Sequence, residues 1–75
     1  MKPPPSHAHR LVEAEQAVAL GRDHIARQWQ IILEKDQRGA DTALSRQLLR
    51  TFYEVQTLHE EQLDRLLDEV MRQYP

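Results

Sequence analysis

The chain has 75 residues, ten of them Lys or Arg and twelve Asp or Glu, with a formal net charge of -2 and no cysteine. This length fits one small domain, and the lack of cysteine excludes disulfides and thiolate metal sites. No apolar run approaches the roughly 20 residues of a membrane span, and the mild acidity argues against nucleic acid as the main partner, so we expect a cytoplasmic protein without membrane association.

The N-terminal segment is rich in proline. Residues 1–5 hold three of the four prolines, which predicts a short flexible tail ahead of a single domain over residues 6–75. Ser6 follows this tail and can cap a helix, because its hydroxyl can accept a hydrogen bond from a free backbone N–H.

The first helix is predicted over about residues 6–38. Its apolar residues recur every seven positions, and small or polar residues fill the intervening series, which is typical of a helix that packs along one stripe. The two series are Leu11, Val18, Ile25 and Ile32, and then Ala14, Gly21 and Gln28.

Residues 39–41 are predicted to form the turn, because Gly39 suits the end of a helix and Asp41 suits the cap of the next. A second helix is predicted over about residues 42–73. It contains three seven-residue series: Leu48, Val55 and Gln62; Phe52, His59 and Leu66; and Leu49, Gln56, Leu63 and Val70.

Two helices of nearly equal length with a short connection predict an all-α fold, an antiparallel two-helix hairpin of coiled-coil type. A turn centred near residue 40 places Ile25 opposite Val55 and Gly21 opposite His59. A slip of this register by one helical turn stays open.

Apolar side chains on both helices lie outside the one seam that a hairpin can form. The sequence therefore predicts a homodimer that forms a four-helix bundle. The alternatives are a different partner, such as a larger regulatory protein, and a monomer that tolerates the exposure. The residues predicted to form the interface are Trp29, Leu49, Phe52, Tyr53, Leu63, Leu67 and Val70.

Small and polar residues interrupt the predicted seam near the middle of the helices. They are Gly21, His24, Gln28, His59 and Gln62. A buried polar residue in such a seam lowers stability and can fix register or oligomeric state. No third metal ligand stands at helical spacing from either histidine, so no metal site and no cofactor is predicted.

The sequence offers little for catalysis, and we do not expect an enzyme. Neither of its two serines lies in a nucleophile motif, and its two glycines cannot build a phosphate-binding loop. Nucleic acid is not the expected partner, although a local basic face remains an alternative, formed by Arg10, Arg22, Arg27, Arg46 and Arg50.

Three segments carry a resemblance to a known group of proteins. Residues 21–28 read Gly-Arg-Asp-His-Ile-Ala-Arg-Gln, the loop ends in Asp41-Thr42, and residues 48–52 read Leu-Leu-Arg-Thr-Phe ahead of Leu58-His59. This pattern resembles that of short helical-hairpin proteins of alphaproteobacteria, for which no activity is established. The resemblance spans roughly residues 20–67, implies a bacterial cytoplasmic protein, and carries over no catalytic or binding residue.

The function predicted from these features is that of a small non-enzymatic interaction or regulatory module that acts through helix-face association, with itself or with a larger regulatory protein. The alternative is a ligand- or metal-responsive sensor that uses the layer of His24, His59 and Gly21.

Overall fold

A computed structural model describes residues 6–73, and this part of the chain is 91% helical and contains no strand. The chain forms helix α1, His7–Gln37, and helix α2, Ala43–Gln73, which pack against each other as an antiparallel hairpin. The predicted tail over residues 1–5 lies outside the described residues, as do Tyr74 and Pro75. Neither helix in residues 6–73 is long and apolar enough to cross a membrane.

The helix ends follow from short-range hydrogen bonds. At the start of α1, the Ser6 hydroxyl accepts from the backbone N–H of His9 at 3.1 Å. At its end, Gly39 adopts a φ of 71°, and the N–H of Ala40 donates to the carbonyl of Lys35 at 2.8 Å. This geometry is the Schellman motif, in which glycine takes the left-handed conformation that other residues avoid.

The turn connects directly to the second helix. The Asp41 carboxylate accepts from the backbone N–H of Ala43 at 2.9 Å and so satisfies a donor at the start of α2 that has no partner within the helix. Each observed helix end lies within one residue of the predicted end.

The core is one thin seam between the two helices. Within residues 6–73 its buried apolar side chains are Ala14, Val18, Ile32, Leu49 and Leu66. On α1 these residues belong to the two predicted series. Over residues 6–73 the hairpin is a single layer of helices, with a smallest dimension of 14 Å, and no second layer from these residues covers either broad side.

The predicted pairing of the helices was wrong by about one turn. Gln56 lies against Gly21, where His59 was expected. Leu48 and Val55, which were placed in the seam, are 46% and 43% exposed. The seam of α2 is built instead from its other two series, represented by Leu66 and Leu49, because the Gln56 side chain fits only where the opposite residue has no β-carbon.

Candidate interaction surfaces

A glutamine of α2 occupies a notch in α1. Gln56 is only 5% exposed, and its Nε2 donates to the backbone carbonyl of Val18 at 2.9 Å. The side chain lies over Gly21, where a β-carbon would collide with its amide oxygen and stand 2.7 Å from its Cδ. The amide oxygen itself is buried without a hydrogen-bond partner in the described residues.

A second glutamine makes the reciprocal bond from α1 to α2. The Nε2 of buried Gln28 donates to the backbone carbonyl of Ser45 at 2.8 Å, and Lys35 Nζ donates to the hydroxyl of the same serine at 2.8 Å. Each glutamine thus reaches one particular carbonyl of the opposite helix. Because a slip of the helices would leave these buried amides unpaired, the two bonds fix the register.

One broad side of the hairpin is largely apolar, and we call it the His24 face. Its exposed aliphatic residues include Leu44, which is 80% exposed, and Leu58, which is 63% exposed. At its centre a groove of about 440 Å³ is lined by Ala17, Leu20, Gly21, His24, Thr51, Phe52, Val55, Gln56 and His59. This face therefore presents aliphatic and aromatic surface with histidines at its centre.

Two histidines, His24 and His59, line this groove. The His24 ring lies 5.8 Å from the Phe52 ring, at an interplanar angle of 31°. His59 is half-buried at the seam. Nowhere in residues 6–73 do three or more His, Asp or Glu side chains cluster in a way that could hold a metal ion.

The opposite broad side is more polar, and we call it the Trp29 face. Trp29 Nε1 donates to the Tyr53 hydroxyl at 3.0 Å, so the two aromatic side chains bridge the helices on this side. Both are 45% exposed. Helical spacing from this pair places further residues on the same face: Val12, Ala19, Arg22, Ala26 and Leu33 on α1, and Arg46, Arg50, Thr57, Glu60, Asp64, Leu67 and Met71 on α2.

The charged residues of the Trp29 face have no close ionic partner in the described chain. The contacts within 4.0 Å between a basic and an acidic side chain in residues 6–73 join His7 to Glu69 at 3.8 Å and His9 to Glu13 at 2.9 Å. Both involve histidine and lie at the open end of the hairpin. The basic and acidic groups along the Trp29 face of α2 are therefore available to a partner.

The residues predicted as an interface separate into two groups. Trp29, Tyr53 and Leu67 are exposed and share the Trp29 face. Leu49 is buried within the chain, with 7% of its surface exposed, and half-buried Phe52, Leu63 and Val70 also lie along the seam. Leu49 packs between α1 and α2 within the chain, so little of its surface is left for a second chain.

The residues predicted as a polar seam also separate. Gly21, Gln28 and His59 lie in the seam, whereas His24 and Gln62 are exposed. Gln56 was missed because it stands in a series whose other members, such as Leu63, are apolar. Its only sequence signal is the presence of one mid-helix glycine in α1, which marks a place where a side chain of the other helix can enter.

Comparison of the chain with family models, with curated proteins and with solved structures gives no match.

Proposed function

We propose that the protein is a small non-enzymatic interaction module that associates with a second copy of itself through a broad helical face to form a four-helix bundle. The observation that carries this proposal is the single layer of helices with apolar side chains exposed on both sides, such as Leu20 and Leu33, each 57% exposed. A globular domain normally covers such stripes with a second layer.

The core of one hairpin is too small to stabilise it strongly. Five apolar side chains are buried in residues 6–73, and two of the buried seam positions are glutamines. Chains of this size rarely gain more than about 3–5 kcal/mol from a single core. Association with a second hairpin would bury one of the exposed stripes and supply the missing apolar contacts.

The size of each face is sufficient for a stable dimer. A 31-residue helix is about 46 Å long at 1.5 Å per residue, and two packed helices span about 20 Å across. Such a face offers roughly 900 Å², and stable interfaces use about 800 Å² on each partner. After dimerisation through one face, the other would remain free for a larger regulatory protein.

The test is the mass of the protein in solution at low micromolar concentration, measured by size-exclusion chromatography with light scattering. We expect twice the chain mass of 8.8 kDa. A mass of one chain would contradict the proposed self-association.

Two matched variants identify the face. Leu33→Glu places a charge on the Trp29 face, and Leu20→Glu places the same charge on the His24 face, at the same starting exposure of 57%. Burying an unpaired carboxylate in an interface is strongly unfavourable, so the variant on the dimer face becomes monomeric and the other remains a dimer. If both variants remain dimers, association does not use these faces.

A second candidate function is a ligand-responsive module. The groove of about 440 Å³ on the His24 face, with His24 and His59 at its edge, favours this alternative. An apolar ligand or a metal ion that binds there raises the melting temperature by linkage. The measurement is a thermal shift with Zn²⁺, Cu²⁺, Ni²⁺ and a haem-like ligand, and the absence of any shift would count against it.

We also infer that the protein acts in a bacterial cytoplasm. The support for this setting is the resemblance of residues 21–28 and 48–52 to short alphaproteobacterial proteins. Fractionation of a bacterium that carries the gene would test it.

A further inference from the structure

We propose that the second copy docks on the Trp29 face in an antiparallel arrangement, with the two α2 helices packed against each other and a dyad at the level of residue 55. This inference rests on the proposed self-association and adds the face, the orientation and the ionic contacts. It predicts that Arg46 and Arg50 of one copy approach Asp64 and Glu60 of the other.

The charge pattern along α2 carries the inference. On the Trp29 face, Arg46 and Asp64 stand nine residues to either side of position 55, and Arg50 and Glu60 stand five residues to either side of it. A dyad between two antiparallel helices places each position of one helix opposite the position that lies equally far on the other side of the centre in the second helix. Each basic group of one copy therefore meets an acidic group of the other.

The centre of the same pattern is suited to close contact. Tyr53 and Thr57 each stand two residues from position 55, so the dyad brings the aromatic ring of one copy over the small side chain of the other. On α1, exposed Ala19 and Ala26 lie on this face and leave room for a neighbouring helix. Tyrosine and tryptophan at the centre of a face are typical interface anchors.

The charged groups have no competing partner within the described chain. The two contacts between basic and acidic side chains found in residues 6–73 involve none of Arg46, Arg50, Glu60 and Asp64. Arg22 lies near the proposed dyad, where two copies of it would repel each other. Glu60 of the same chain lines the same groove as Arg22 and offsets that charge.

The distribution of charge along the hairpin also favours the antiparallel orientation. The turn half, residues 22–54, contains six basic and five acidic residues. The open half, residues 6–21 and 55–73, contains three basic and seven acidic residues. A parallel dimer would bring two strongly acidic ends together, whereas an antiparallel dimer places each acidic end beside a weakly basic one.

The His24 face provides no comparable pattern. Its α2 positions between residues 48 and 58, represented by Leu48, Thr51, Val55 and Leu58, carry no charge. That surface can contact apolar groups but does not specify an orientation. The self-complementary face is therefore the Trp29 face.

Two charge-reversal variants test the pairing. The acidic variant carries Arg46→Glu and Arg50→Glu, and the basic variant carries Glu60→Arg and Asp64→Arg. Each alone places eight like charges, four from each copy, around the dyad of its homodimer, and we expect its dimer dissociation constant to rise at least tenfold. An equimolar mixture restores complementary charges, so a dimer that contains one of each variant forms, as measured by light scattering.

The control variant carries Glu54→Arg and Glu61→Arg. It changes the net charge by the same amount as the basic variant, but both residues are exposed on the outer side of α2. We expect it to keep the dimer mass of the wild type. Circular dichroism shows whether each variant keeps the helical content of the wild type.

A distance measurement tests the orientation. The sequence has no cysteine, so Ala40→Cys gives one spin-label site at the turn. With a rise of about 1.5 Å per residue from the level of the dyad, the antiparallel dimer separates the two labels by roughly 50 Å. A separation below about 25 Å would overturn the antiparallel arrangement.

The outcomes separate the two proposals. A monomeric wild type refutes the proposed self-association and with it this inference. If the wild type is a dimer and both charge-reversal variants remain dimers, or if their mixture stays monomeric, the ionic pairing proposed here is wrong while self-association stands.

Discussion

Replacing Gly21 by alanine tests whether the missing β-carbon holds Gln56 in the seam. In an ordinary helix interior, alanine stabilises by about 1 kcal/mol relative to glycine. Here the new methyl group would occupy the position of the Gln56 amide oxygen. The amide must then leave, which breaks its 2.9 Å bond to the Val18 carbonyl.

The magnitude follows from two opposing contributions. Loss of a buried side-chain hydrogen bond costs about 1–3 kcal/mol when its groups are left unpaired. This cost offsets the gain of about 1 kcal/mol in helix propensity, so Gly21→Ala leaves the free energy of unfolding unchanged or lowers it by up to about 2 kcal/mol.

A double-mutant cycle isolates the contact. When Gln56→Ala has already removed the amide, the methyl group meets no obstacle, and Gly21→Ala raises the free energy of unfolding by about 1 kcal/mol. The coupling between the two positions is therefore about 1–3 kcal/mol.

The measurement is urea unfolding followed by circular dichroism, with all variants at the same protein concentration because dimerisation adds to the apparent stability. Comparison of Gln30→Ala with Gln30→Gly, at an exposed position of α1 outside both broad faces, gives the local difference between alanine and glycine without the contact. If Gly21→Ala raised the free energy of unfolding by about 1 kcal/mol both with Gln56 and with Gln56→Ala, the proposed contact between Gly21 and Gln56 would be refuted.

Two further predictions concern single hydrogen bonds. Tyr53→Phe removes the acceptor of the Trp29 indole N–H and should lower the free energy of unfolding by about 0.5–1.5 kcal/mol; no change in the urea midpoint would mean that the bond contributes nothing. Asp41→Ala removes the carboxylate that accepts from the N–H of Ala43 and should cost about 0.5–2 kcal/mol, whereas Asp41→Asn should retain most of the stability because its amide oxygen can accept the same bond.

Local features of this protein could be predicted from its sequence. The end of α1 at Gly39 and the cap at Asp41 each depend on a few neighbouring residues, so the chemistry of the turn was sufficient to place them. The stripe of α1 that includes Val18 and Ile32 was also evident, because large apolar residues recur there every seven positions.

The candidate surfaces could be predicted only in part. Trp29 and Tyr53 were predicted as interface residues, and the structure joins them by a hydrogen bond across the seam. Arg46 and Arg50 of α2 beside them were assigned only to an alternative basic face for nucleic acid, since nothing in the local pattern shows that they share a face with the aromatic pair.

The sequence by itself determined two helices, their ends and the seam of α1, because hydrogen bonds and hydrophobic spacing within one segment specify them. Only the tertiary structure decided which two of the three series of α2 face α1, and hence which broad sides remain exposed. The three series differ by rotation about one helix axis, and their periodicity is the same. The choice among them depends on Gln56 and Gly21, whose side-chain contact exists only when both helices are in place.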